Sequence, residues 1–187
     1  MILGHALDPA HEGNYDVVGS DSFYSSYQLT TQLIDLGHRR IGIVLPPPDR
    51  SGIHYRQMLH GFQGALRTRG IPVTPAFEFF TSNAYALFHQ DVPGGILGEI
   101  TAMLFADLPL LMSGLMALNE RGVAVPGGIS VGAMGIDIEL ARMLEITMAS
   151  PDFDTLGQRV IEALNTRLRN EEARPRLILV EEKIHLR

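Results

Sequence analysis

Short, uninterrupted apolar runs alternate along this chain with longer amphipathic stretches, and that alternation restricts it to α/β folds built on a parallel sheet. The run Ile41-Gly-Ile-Val-Leu45 contains no polar residue, so it reads as a strand covered on both faces, and the three prolines 46–48 end it. Residues 54–69 follow with Tyr55, Leu59, Phe62 and Leu66 in one helical stripe, closed by Gly70 and Pro72. The same strand-then-helix grammar recurs at 15–18 with 22–36, at 101–106 with the helix that Asp107 and Pro109 introduce, and at 129–134. Further strands are expected at 76–80 and 177–180, and a helix carrying Phe153, Leu156, Val160, Leu164 and Leu168 lies between 152 and 168. Residues 181–187 read as a polar extension, and the scattered glycines of 81–98 assign that region to neither class.

Composition bounds the function. Over 187 residues, 15 Lys and Arg stand against 21 Asp and Glu, a net charge of −6, which disfavours phosphate-backbone binding by this chain alone. There is no cysteine, so disulfide scaffolds, thiolate zinc sites and Cys nucleophiles are excluded. The nearly uncharged stretch 100–119 is interrupted by Asp107 and Pro109, so no membrane span is expected. The first residues show no basic segment leading into an apolar one, which makes a cytoplasmic location the expectation. No phosphate-cradling glycine motif of the dinucleotide or P-loop type occurs, and His5, His11, His54 and His60 lack the spacing that would put two imidazoles on one helical face. Neither a metal nor a cofactor is expected.

In open α/β sheets ligands bind beyond the carboxyl ends of the strands. Those ends deliver Asp21, Asp49, Asp107 and Asp137, a rim of carboxylates able to accept hydrogen bonds from a polyhydroxyl compound or to pair with a cation. Asp21 and Asp107 also fit as helix N-caps. Phe23, beside Asp21, is a candidate stacking face for a ligand and equally a candidate for the core. Gly128-Ile-Ser130-Val-Gly132 matches the nucleophile motif of serine hydrolases, with Asp152, Asp154 and His185 downstream, but Ser130 falls inside the expected strand instead of at a strand-to-helix turn.

Taken in order, Val17 to Asp21, Gly37-His-Arg-Arg-Ile41, Gly61-Phe62 with Ala65-Leu66, Gly70-Ile-Pro72, Ala117-Leu118 through Gly122-Val-Ala-Val-Pro126 to Ile129-Ser-Val131, Ile146-Thr147 and the closing Val180 to Arg187 resemble the effector-binding domain of LacI-type bacterial transcription regulators. The resemblance runs over nearly the whole chain. It implies an α/β, periplasmic-binding-protein-like (type I) fold of two parallel-sheet lobes, one complete and one partial, that hold a small molecule between them. The expected division is a remnant of the N-terminal lobe at 1–24, a C-terminal effector-binding lobe at 25–145 and a crossover back to the first lobe at 146–187.

The resemblance further implies a sugar or polyol effector, a homodimer, and coupling to DNA through a helix-turn-helix headpiece that this chain lacks. Carried over residue by residue, it assigns Asp21, Asp107 and Asp137 to the effector, the last through Gly135-Ile136-Asp137. Two departures stand out. Met58 occupies the place of the arginine that in the family clamps the effector, and Asp107-Leu108 replaces an Asn-Asp pair. The alternatives are a solute-binding protein for sugar transport, with the same fold, and a hydrolase using Ser130.

Overall fold

A computed structural model describes residues 2–3, 15–48, 52–90, 95–135, 138–169 and 174–186. It contains two sheets. The larger has six strands in the order β4-β3-β5-β6-β7-β9, where β3 is Ile41–Leu45, β4 Glu78–Phe80, β5 Ala102–Phe105, β6 Ser130–Met134, β7 Thr147–Ser150 and β9 Lys183–His185. All its pairings are parallel except β7 with the edge strand β9. The smaller sheet orders β1 (Ile2–Leu3), β2 (Val17–Ser20) and β8 (Leu177–Val180), all parallel.

Every residue of β3 and β5 is buried, as expected of apolar strands covered on both faces. The covering layers are α1 (Ser22–Asp35) and α2 (Ile53–Thr68) together with α5 (Leu108–Glu120), the helices that the leucine and phenylalanine stripes mark out. Glycines in the left-handed region end each of them: Gly37 at φ 98°, Gly70 at 67° and Gly122 at 69°. The core joins Leu29 and Leu33 of α1, Phe62 and Leu66 of α2, and Leu111 and Leu118 of α5 to the strands.

Two close approaches require glycine. A Cβ on Gly61 would sit 2.1 Å from the Phe23 carbonyl oxygen, so α1 and α2 meet backbone to backbone. A Cβ on Gly114 would lie 2.5 Å from the Phe105 ring, which is fully buried and meets Phe88 edge-on at 6.3 Å.

Several elements differ from the sequence expectation. The unassigned stretch holds two short helices, α3 (Ala84–His89) and α4 (Ile96–Glu99), and a third, α6 (Ile138–Leu144), precedes β7. The segment 146–187 does more than return to the smaller lobe: β7 and β9 join the large sheet, while α7 (Phe153–Arg169) and β8 build the small one. Residues 183–185, read as a polar tail, pair antiparallel with β7. The helix over 153–169 is present, but Phe153, Leu164 and Leu168 of its stripe are exposed, while among the described residues the apolar cluster of the small lobe is formed by Val18, Leu156, Ala163 and Val180.

That small lobe is pinned by charge as well. Asp16, buried at its base, accepts from both Arg167 Nε and Nη2 at 3.1 Å and from the Arg176 backbone N–H at 3.0 Å. Three short segments cross between the lobes, at 20–22, 150–153 and 180–183. Lys183 Nζ pairs with Asp152 Oδ2 at 3.0 Å and so latches two of these crossings together.

Candidate functional site

Parallel strands of both sheets, β2 and β8 of the small one and β5, β6 and β7 of the large one, end at one cleft of about 420 Å³. Gly19 and Ser20 reach it from β2 and Glu182 from the segment after β8. Ala106, Asp107 and Gly135 reach it from the ends of β5 and β6, and His54, Tyr55 and Met58 from the first turns of α2. Phe153 and Leu156 of α7 close the other side. Most of this wall is apolar, with a few polar groups placed among it, which is the ordinary constitution of a small-molecule site.

Asp107 is one of the four expected ligand-binding residues and it does line the cleft. It is also the N-cap of α5: Oδ1 accepts the Leu110 backbone N–H at 2.9 Å. Its Oδ2 accepts the Tyr55 hydroxyl at 3.1 Å. Burial, with the Asp107 charge and this bond added, pushes the Tyr55 hydroxyl up to about 12.

Asp21 is placed differently. It caps α1 through a 2.9 Å bond from the Tyr24 N–H, and its carboxylate is not part of the cleft wall. Phe23 is also away from that wall: its ring stacks on Tyr27 at 6.3 Å and lies against Gly64 of α2. The cause is helical phase, since a side chain at the second position of α1 faces the neighbouring helix. Asp137 and Asp49, like His5 and His11, lie outside the described residues. Met58 is buried and lines the cleft, putting an apolar side chain at that point of the wall.

Sequence reasoning did not find Glu182. It was read as part of a polar extension, yet it sits on a crossing segment with its carboxylate in the cleft wall. Its Oε2 is enclosed and has no hydrogen-bond partner among the described residues. Burial pushes its carboxyl above the usual range, the Asp21 charge adds to that, and the hydroxyls of Ser25 and Ser20 work against it. Glu182 lies two residues past the end of β8 in a run of charged residues, and the sequence carries no local signal that singles it out.

Ser130 tests the hydrolase alternative. It opens β6 at the amino end of the strands, opposite to the cleft, and its hydroxyl lies 2.9 Å from His38 Nε2. His38 Nδ1 lies 3.0 Å from Thr101 Oγ1, which in turn donates to the Arg40 carbonyl. A hydroxyl therefore stands where a carboxylate would orient the imidazole. The Ser130 backbone N–H is spent on the Thr101 carbonyl and cannot serve an oxyanion. The chain of bonds ties the end of α1 to the starts of β5 and β6, and it is structural. Burial lowers the affinity of His38 for a proton.

Among the described residues no group of three or more His, Asp or Glu is gathered as a metal site requires, and no helix is long and apolar enough to cross a membrane.

Comparison with known proteins agrees with this fold. Residues 30–187 match the family model described as periplasmic binding protein-like domain. The ribose operon repressor of Haemophilus influenzae is 30% identical over 94% of this chain and 53% of its own length. A transcriptional regulator solved in complex with cellobiose superposes with a TM-score of 0.80 at 22% identity, over 99% of this chain and 57% of that one. A LacI family regulator from Enterococcus faecium, solved with bound ribose, gives 0.74 at 20% identity, over 91% and 63%. The chain spans about half the length of the curated relatives it matches. It belongs to the periplasmic binding protein-like domain family.

Proposed function

We propose that this chain is the small-molecule sensing domain of a LacI-type transcription regulator, with a sugar or polyol as effector, no enzymatic activity of its own, and coupling to operator DNA through a headpiece outside this chain. The observation that carries the reading is the cleft between the two sheets, where strand ends of both lobes deliver Ser20, Asp107 and Glu182 into a mostly apolar wall. A hydroxyl-bearing ligand finds acceptors there and an apolar surface for its ring face. The repressor from Haemophilus influenzae is named for the ribose operon, and two of the solved neighbours hold cellobiose and ribose.

In this reading the chain works as a homodimer in the cytoplasm. Asp107 and, of the residues not described, Asp137 contact the effector, while Asp21 and Phe23 shape the helix that faces it. A domain of this kind acts by changing the angle between its lobes when the cleft is filled. The test is a thermal-shift screen with sugars, polyols, nucleosides and amino acids, because a ligand that binds only the folded state raises the melting temperature. For a hit, Asp107→Ala and Asp137→Ala are each expected to weaken binding by about 1–3 kcal/mol, the cost of leaving buried ligand donors unpaired. Binding unaffected by both substitutions would refute the placement.

A further inference from the structure

We propose that Glu182 makes this cleft selective for a ligand that carries a cationic nitrogen beside its hydroxyls, an amino sugar or an amine of similar size. The proposal rests on the sensing function argued above and narrows its ligand class.

Three observations converge. First, Glu182 Oε2 is enclosed in the cleft wall and has no hydrogen-bond partner among the described residues, although the hydroxyls of Ser25 and Ser20 bond to the carboxylate as a whole, so one acceptor position is left for a donor on the ligand. Asp107 offers less, since one of its oxygens takes the Leu110 N–H and the other the Tyr55 hydroxyl. Second, no Lys or Arg is among the described residues that line the cleft. The cation nearest Glu182 in sequence, Lys183, is held 3.0 Å from Asp152. The point of the wall where a longer cationic side chain could have balanced the carboxylates is filled by Met58.

Third, the described acidic groups at the cleft outweigh its one described basic group, the His54 imidazole. Asp107 lines the cleft and Asp21 acts on Glu182 from outside it, so a positive group on the ligand is attracted and a negative one repelled. The exposed Phe153 ring at the opposite wall adds a face over which a cation is favourably placed. Burial disfavours an unpaired Glu182 carboxylate, and a bound cation removes that penalty.

The experiment uses sets of sugars matched in shape and different in charge: glucose, glucosamine and glucuronate, then galactose, galactosamine and galacturonate. Binding to the intact chain is measured by thermal shift and calorimetry at neutral pH. The expected order is amine over hydroxyl over carboxylate within each set. In E182Q, which keeps an acceptor and the side-chain volume, the amine is expected to lose about ten- to hundredfold in affinity and the neutral sugar several-fold less, so that the preference for the amine collapses.

A neutral sugar that binds as well as its amine, or an amine preference that survives in E182Q, would overturn the inference and leave the sensing function standing. Failure of every sugar to bind while a nucleoside or amino acid does would overturn both the inference and the sugar assignment. The order of the three partners on the wild-type chain needs no variant, so a poorly folding E182Q does not remove the test.

Discussion

The hydroxyl of Tyr55 and Oδ2 of Asp107 lie 3.1 Å apart, joining the first turn of α2 to the N-cap of α5 across the mouth of the cleft. One carboxylate thereby caps a helix with its first oxygen and fixes an aromatic wall with its second. Tyr55 is pushed up to about 12 by burial and by that neighbour. In an ultraviolet titration, one tyrosine is therefore expected to ionise near that value, well above the ordinary range near 10. Tyr55→Phe is expected to remove this late step and to cost about 1 kcal/mol of stability, the worth of one hydrogen bond. A profile unchanged by the substitution would count against the contact.

Gly61→Ala places a methyl group 2.1 Å from the Phe23 carbonyl, where neither backbone can yield without separating α1 from α2. A loss of about 2–3 kcal/mol is expected in urea unfolding, toward the upper end of overpacking costs. Gly157→Ala makes the control, because a Cβ there meets nothing within 4 Å and the substitution improves helix propensity by about 1 kcal/mol.

Asp16 supplies the acid sensitivity of the small lobe. Burial alone would raise its carboxyl, but the Arg167 side chain, the Arg176 N–H and the charges of both arginines outweigh that and hold it below the usual range. A carboxylate depressed in the folded state stabilises above its unfolded value of about 4, and the gain disappears as pH falls through the lower folded value. His38, whose proton affinity burial lowers, works in the same direction below about 6.5. Stability is thus expected to decline on acidification in two stages, and Asp16→Asn is expected to diminish the lower one at a cost of about 1–3 kcal/mol at neutral pH. Equal acid profiles for variant and parent would exclude the assignment.

Amide exchange is expected to divide the molecule. The small sheet rests on Val18, Leu156, Ala163 and Val180, whereas β3 and β5 lie in a core that runs through α1, α2 and α5. Amides of β2 and β8 are expected to exchange through a partial opening, and those of β3 and β5 only near global unfolding. Uniform protection in both sheets would show that the lobes unfold together.

The central strands were legible because burial on both faces leaves an unmistakable apolar run, as in Ile41–Leu45, and because glycines such as Gly37 and Gly122 punctuate the helices. The edge of the large sheet was not. Residues 183–185 are too short and too polar to announce a strand, and their pairing with β7 is a long-range contact with no local pattern. At the cleft, the aspartates could be read as ligands or as caps from sequence. The coordinates show Asp21 capping α1 away from the cleft wall, and Asp107 capping α5 while also lining it. Glu182 escaped because nothing in a stretch of charged residues says which one is folded inward.

Glu182 rides on one of the straps that join the lobes, and the Lys183–Asp152 pair buckles that strap to a second. A guest that draws the carboxylate toward itself also turns the backbone carrying it, at the fulcrum instead of at the end of a lever. In the sensing function proposed above, occupancy and lobe angle would then be a single displacement, with no relay through the packed interior to tune or to lose.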